Sequence, residues 1–185
     1  MRDFYRAGFF LTILSSTIIL LDNPVQKIPP LGKFLSPYTG FSQLLDSDKL
    51  PSGTIEFDNL NYIVDVVWDS LRIPHIFAKN DHDLYFVQGY IMAFERLWQM
   101  EFQTHAASGR LSEIIGKEAK GYDQFQRRIG MVYGAKNTLD LLKQDKKYYS
   151  NIEAFTKGIN TYIKNLSPKK YPLEYKILDY SPELW

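Results

Sequence analysis

Three histidines, His75, His82 and His105, together with the serines and carboxylates near them, are the residues whose types could carry chemistry in this chain. No two of the histidines have the spacing of a metal motif, and no cysteine is present to supply a thiolate ligand, a disulfide or a thiol nucleophile. His75 follows Pro74 in a strand-like run and reads as a packing residue. His82 falls in the first turn of a predicted helix and reads as exposed, whereas His105 lies on an apolar helical face and reads as a core residue. Ser108 and Ser112 stand near His105 in sequence but lack the Gly-x-Ser-x-Gly setting of a nucleophile elbow. The acid pairs Asp81/Asp83 and Glu95/Glu101 suit capping and ion pairing. Glu95-Arg96, and Asp123 with Arg127 and Arg128, suggest buried ion pairs. A phosphate-binding glycine loop, an EF-hand and a His-Glu-x-x-His helix are all missing. No catalytic, cofactor-binding or metal-ligating residue is therefore assigned to this chain.

The elements that would hold these side chains are legible from periodicity. Thr54–Phe57, Tyr62–Trp68 and His75–Ala78 are rich in β-branched and aromatic residues, and predict an antiparallel meander turning at Asp69–Pro74. Asn80 or Asp81 then caps a long helix reaching to Ser108, on which Leu84, Val87, Ile91, Phe94, Trp98, Glu101 and His105 recur at helical steps. Its apolar surface is broad enough to predict exposed apolar flanks unless a larger body covers them. Gly109 ends that helix and Gly116 closes a short one after it. Amphipathic helices are predicted over 122–144 and 149–165, and 171–185, with Pro172 and Pro182, reads as a loop.

Ahead of these elements, Arg2 and Arg6 precede the uncharged run Gly8–Leu21. A basic start followed by an apolar stretch describes a signal anchor or a cleaved signal peptide. No small-x-small cleavage site stands at Leu20-Leu21-Asp22, which favours the anchor. Residues 1–22 are thus expected to enter the membrane, through 4–21, with the remainder outside the cytoplasm. Residues 23–53, with Pro24, Pro29, Pro30, Pro37 and Pro51, read as a proline- and glycine-rich tether, and 54–185 as the globular part. The chain of 185 residues carries 22 Lys+Arg against 21 Asp+Glu, a balance that gives no electrostatic footprint for nucleic acid.

The order of several motifs resembles one family. Asp69-Ser-Leu-Arg-Ile-Pro74-His75-Ile76-Phe-Ala78 is similar to the segment that opens the α chain of penicillin acylases, with Arg72 where that pattern has glycine. Gly89-Tyr90, Ala93 and Glu95-Arg96-Leu97-Trp98-Gln99-Met100-Glu101 resemble the family's long helix, and Ala107–Gly116 the segment following it. Asp123 through Arg127 and Gly130, then Phe155, Gly158, Asn160 and Tyr162, continue the likeness in order.

The resemblance implies an α+β fold, the N-terminal fragment of an αββα N-terminal-nucleophile hydrolase. It implies a precursor that cleaves itself ahead of a serine, which then opens a β chain and attacks N-acyl amides. It also implies that the nucleophile, the oxyanion donors, the acyl pocket and the calcium site of some members all lie C-terminal to Trp185. This chain is accordingly expected to carry no cofactor, to need the missing β chain and to be inactive alone. A membrane-anchored, non-catalytic binding module is the alternative. The expected location is the bacterial inner membrane facing the periplasm, or the periplasm itself if the N-terminus is removed.

Overall fold

The computed structural model describes residues 2–23, 30–38, 40–44, 50 and 52–185. The tether expectation falls in part on Pro24, Pro29, Leu45 and Pro51, which lie outside the described residues. The chain divides into two compact units, one formed by Met1–Leu50 with Ser167–Ser181, the other by Pro51–Leu166 with Pro182–Trp185.

In the first unit, helix α1 runs from Arg2 to Asp22. At about 1.5 Å per residue it is about 31 Å long, enough for a hydrocarbon core that the uncharged run alone would not span. Residues 5–22 qualify by length and composition as a membrane-crossing helix. Phe9, Phe10, Leu11 and Leu14 are exposed along it. Helix α2 (Leu31–Leu35) and two 3-10 turns, Phe41–Leu44 and Pro168–Lys170, belong to the same unit. Residues 171–185 are expected to form a loop, yet Leu173–Leu178 forms a short helix. On that helix Lys176 is buried, and its Nζ donates to the carbonyl oxygens of Gly40 (2.9 Å) and Lys169 (2.8 Å). Burial lowers the pKa of this amine.

The second unit is built on a hairpin and two long helices. Strands β1 (Asp65–Trp68) and β2 (Pro74–Phe77) pair antiparallel, with Val66 opposite Ile76 and Trp68 opposite Pro74. Alternation turns Val66, Trp68 and Ile76 inward and leaves Val67 and Phe77 exposed. The expected strand at 54–57 does not form. Phe57 instead sets its ring edge-on against Phe86 and Tyr90, at centroid distances of 5.6 and 4.8 Å.

Helix α3 spans Asp81–Ser108, capped by the Asn80 side chain and stopped by Gly109 in the left-handed conformation, with a kink at Arg96. Helix α4 is Ser112–Ile115. The periodic stretch 122–144 is not one helix. Gly130, at φ +78°, separates α5 (Lys120–Ile129) from α6 (Met131–Leu142). Helix α7 (Lys146–Asn165) is capped by the Asp145 carboxylate, which accepts from the backbone N–H groups of Lys147 and Tyr148.

Helices α3 and α7 meet through small residues. A Cβ on Gly89 would collide with the Phe155 carbonyl oxygen, and one on Gly158 with that of Phe86. Ala93 and Ala154 are buried on the same two helices. The core of this unit is Phe86, Val87, Ile91 and Ala154, with Val66, Trp68 and Ile76 of the hairpin packed on it. Helix α3 presents Gln88, Glu95, Gln99 and Gln103 outward, and with them the exposed apolar side chains Tyr85 and Met92 that its broad apolar surface predicted. Helices α5 and α6 expose more, at Phe125, Ile129, Met131 and Leu141.

Candidate functional site

Within the second unit, three carboxylates are held in specific surroundings by the start, the end and the sequel of α3. Asp83, in the first turn, is fully buried. Its Oδ1 accepts from the Asn61 backbone N–H (3.0 Å), and its Oδ2 from those of Tyr62 (3.0 Å) and the Asn80 side-chain amide (2.7 Å). Burial pulls this carboxyl up, but the hydrogen bonds from Asn61, His82, Asn80 and Tyr62 together outweigh it and bring its pKa down to about 2. Asp83 thereby fastens the loop before β1 to the helix. His82 is half-buried and lies 3.1 Å from Asp83, rather than standing free on the surface.

Asp123 on α5 does the same for α4. Its two oxygens accept the backbone N–H groups of Leu111 (2.9 Å) and Ser112 (2.8 Å), and also the Ser112 hydroxyl. Burial pulls its pKa up, and the Ser112 and Leu111 donors with the Arg127 charge carry it below the usual value. The expected buried pairing of Asp123 with Arg127 and Arg128 is replaced by these backbone donors. Arg127 Nε donates to the Gly109 carbonyl oxygen at 2.8 Å, and Arg128 is exposed. Glu95 and Arg96 are exposed too, with Glu95 accepting from Trp68 Nε1 at 3.4 Å.

The third carboxylate belongs to a cluster. Glu101 and His105, four residues apart on α3, are each 2% exposed. Four-residue spacing puts them one above the other on a helical face. His105 Nδ1 lies 3.0 Å from the Glu101 carbonyl oxygen. A carbonyl only accepts, so Nδ1 carries the proton and Nε2 faces the cluster. Glu183, from the C-terminal segment, donates its backbone N–H to Glu101 Oε1 at 3.1 Å and brings its carboxylate 3.8 Å from His105 Nε2. Arg110 bridges the outer rim: its Nε lies 3.0 Å from both oxygens of Glu113, and its Nη2 3.0 Å from Glu183. The Arg110 hydrogen bond holds the Glu113 carboxyl below its usual pKa, and the guanidinium is raised in turn by Glu113 and Glu183. Asn160 and Trp185 exchange two hydrogen bonds, of 2.8 and 2.9 Å, securing the same segment to α7.

Beside this cluster lies a shallow groove of about 610 Å³, lined by Met92, Met100, Met131, Val132, Leu139 and Trp185 among others. The groove is largely apolar, and Ser108 is among its lining residues. Ser108 donates its hydroxyl to the His105 carbonyl oxygen (3.2 Å) and Ser112 to Asp123, so neither is set up as a nucleophile with His105 as base. His75 is exposed, 3.5 Å from Asp69. Glu101, His105 and Glu183 offer one nitrogen and two carboxylate ligands within 4.8 Å of one another. Calcium takes six to eight oxygens, so this set does not fit the calcium of some penicillin acylases. Sequence reasoning placed His105 in the core correctly but missed Glu183, which no local pattern connects to α3.

The family model described as penicillin amidase matches residues 63–185. The penicillin acylase 2 proenzyme of Pseudomonas sp. (strain SE83) is 34% identical over 134 residues, covering 72% of this chain and 17% of that protein. An acyl-homoserine lactone acylase QuiP of Pseudomonas aeruginosa is 29% identical over 141 residues, covering 75% of this chain and 16% of that protein. Among solved structures, a thermostable penicillin G acylase from Alcaligenes faecalis superposes with a TM-score of 0.59 at 27% identity, over 66% of this chain and 65% of that one. The chain thus spans about a sixth of the length of the curated relatives it matches.

Proposed function

Because this chain belongs to the penicillin amidase family, we propose that it is the N-terminal part of an amidohydrolase that splits linear N-acyl amides into a carboxylic acid and an amine. The observation that carries this reading is the continuity of the family match from the hairpin through α3, α7 and the C-terminal segment. The attacking group is an N-terminal serine of a β chain from the same precursor, its freed amine acting as base. Backbone and side-chain donors of that missing part stabilise the oxyanion.

What this chain supplies is scaffold. Asp83, Asp123 and the Glu101–Arg110–Glu183 cluster use their charges to fix loops and segments. The serines nearest an imidazole are occupied elsewhere. Alone, the chain is inactive. The substrate is an N-acyl compound, either of the penicillin type or of the acyl-homoserine lactone type that the relatives' names record. Calcium, where the complete protein uses it, draws its ligands from beyond these residues.

Helix α1 tethers the protein to the bacterial inner membrane with the body in the periplasm. Its basic N-terminal end, Arg2 and Arg6, suits the cytoplasmic side. Removal of that helix would release a periplasmic form.

The reading is tested by expressing the complete coding frame and weighing the product by mass spectrometry. Two chains, the second opening with serine, accompanied by release of a chromogenic amine from an N-acyl anilide, support it. A frame that stops at this chain and yields a folded, inactive protein supports the non-catalytic module instead.

A further inference from the structure

We propose that Glu101, His105 and Glu183 bind one divalent transition ion of the zinc type, which ties the C-terminal segment to α3. The inference rests on the cluster's own geometry and is independent of the amidohydrolase reading.

Two ligands come from adjacent turns of one helix and the third from a segment brought alongside, a composition that defines a site through the fold and not through a local motif. The imidazole is oriented as metal-ligating imidazoles are: Nδ1–H is held by the Glu101 carbonyl oxygen, which fixes the tautomer and aims Nε2 at the carboxylates. Donor spacing is near what a tetrahedral ion needs. Zinc bonds of about 2.1 Å place neighbouring donors about 3.4 Å apart. His105 Nε2 stands 3.8 Å from Glu183 Oε2 and 3.9 Å from Glu113 Oε2, and the three ligand atoms lie within 4.8 Å of one another, so the carboxylates must close inward onto the ion. One nitrogen and two carboxylates suit zinc or cobalt rather than calcium or magnesium, which prefer all-oxygen shells. Two of the three ligand residues are almost wholly buried, and Glu183 is the exposed one.

Charge points the same way. Glu101, Glu113 and Glu183 converge on a region where Arg110 is the guanidinium bonded to the rim. Arg110 already holds Glu113 through both carboxylate oxygens. An arriving ion would therefore displace only its second contact, to Glu183, and leave Arg110 paired with Glu113. Arg110 is then a competitor for the site, and its removal should help the ion, the reverse of what loss of a purely structural salt bridge would do.

The test is a titration of the full chain, in detergent, with cobalt(II) alone, followed by its visible d–d absorption and then by displacement with zinc. The expected result is one equivalent of cobalt with the intensified band of a low-coordinate nitrogen–oxygen site. Glu183→Gln should weaken binding at least about tenfold, and Arg110→Ala should tighten it by about tenfold. Both residues sit at the exposed rim, so both variants keep the test decisive if His105→Ala fails to fold. The proposal is overturned if no such band develops at any excess of cobalt. It is equally overturned if Glu183→Gln binds as well as the unaltered chain, or if Arg110→Ala binds no tighter.

Discussion

Gly158 on α7 approaches α3 so closely that a single added methyl group would overlap the carbonyl oxygen of Phe86. The contact is backbone against backbone, and no side-chain rearrangement can relieve it. Gly158→Ala is therefore expected to lose about 1–3 kcal/mol of stability, although alanine is intrinsically the better helix former by about 1 kcal/mol. Gly134, in α6, has nothing within 4 Å of the same position, so Gly134→Ala should gain about 0.5–1 kcal/mol. Denaturant unfolding of the two variants side by side checks both signs.

Arg72 holds a left-handed backbone at φ +62° in the turn between β1 and β2. A side chain there costs about 1 kcal/mol relative to glycine, and the turn is otherwise well made. Asp69 Oδ1 accepts the backbone N–H groups of Leu71 (2.8 Å) and Ile73 (2.9 Å). Arg72→Gly should raise stability by about 0.5–1 kcal/mol, against the usual entropic cost of glycine. A rise in the thermal midpoint is the expected reading.

Asp83 gives the fold a defined acid limit. Its carboxyl titrates near 2 in the folded chain against 3.8 ordinarily. The depressed value means that its stabilisation is present above the ordinary carboxylate range and is lost as pH falls through about 2. Asp83→Asn should cost about 2 kcal/mol at neutral pH. The stabilities of the two proteins should converge between pH 4 and 2, measured by urea unfolding across that window.

Helix α6 has no buried residue along Met131–Leu142, whereas α3 and α7 bury Phe86, Leu97, Ala154 and Ile159 almost completely. Local opening follows such differences in packing. Amide hydrogen exchange should be fast across α6 and slowest in the middle of α3 and α7.

The local parts of this architecture could be read from residue types. Asn80 as cap, Gly109 as stop and the burial of His105 all follow from one turn of sequence on either side. The misses share a cause, which is that the deciding contact is distant or conformational. Thr54–Phe57 alternates like a strand, but its aromatic ring finds α3 before its backbone finds a partner. Residues 122–144 keep a helical period through Gly130, whose left-handed conformation breaks the helix without disturbing the pattern. Asp83 is marked in the sequence as a helix-start acid, while its main partners, Asn61 and Tyr62, lie across the hairpin. Glu183 meets Glu101 from the far end of the chain, where a Ser-Pro-Glu-Leu-Trp segment advertises only a loop. The family likeness was legible because it depends on the order of several motifs, and no single pair of residues had to be guessed.

The proposal that this polypeptide works only together with a β chain of one precursor is tested by one comparison: amine release from a phenylacetyl or fatty-acyl anilide, measured for the purified chain and for the product of the complete coding frame at equal concentration. Turnover by the complete protein and none by the chain is the expected outcome. Turnover by the chain alone, after contaminating hydrolases have been excluded, would contradict it.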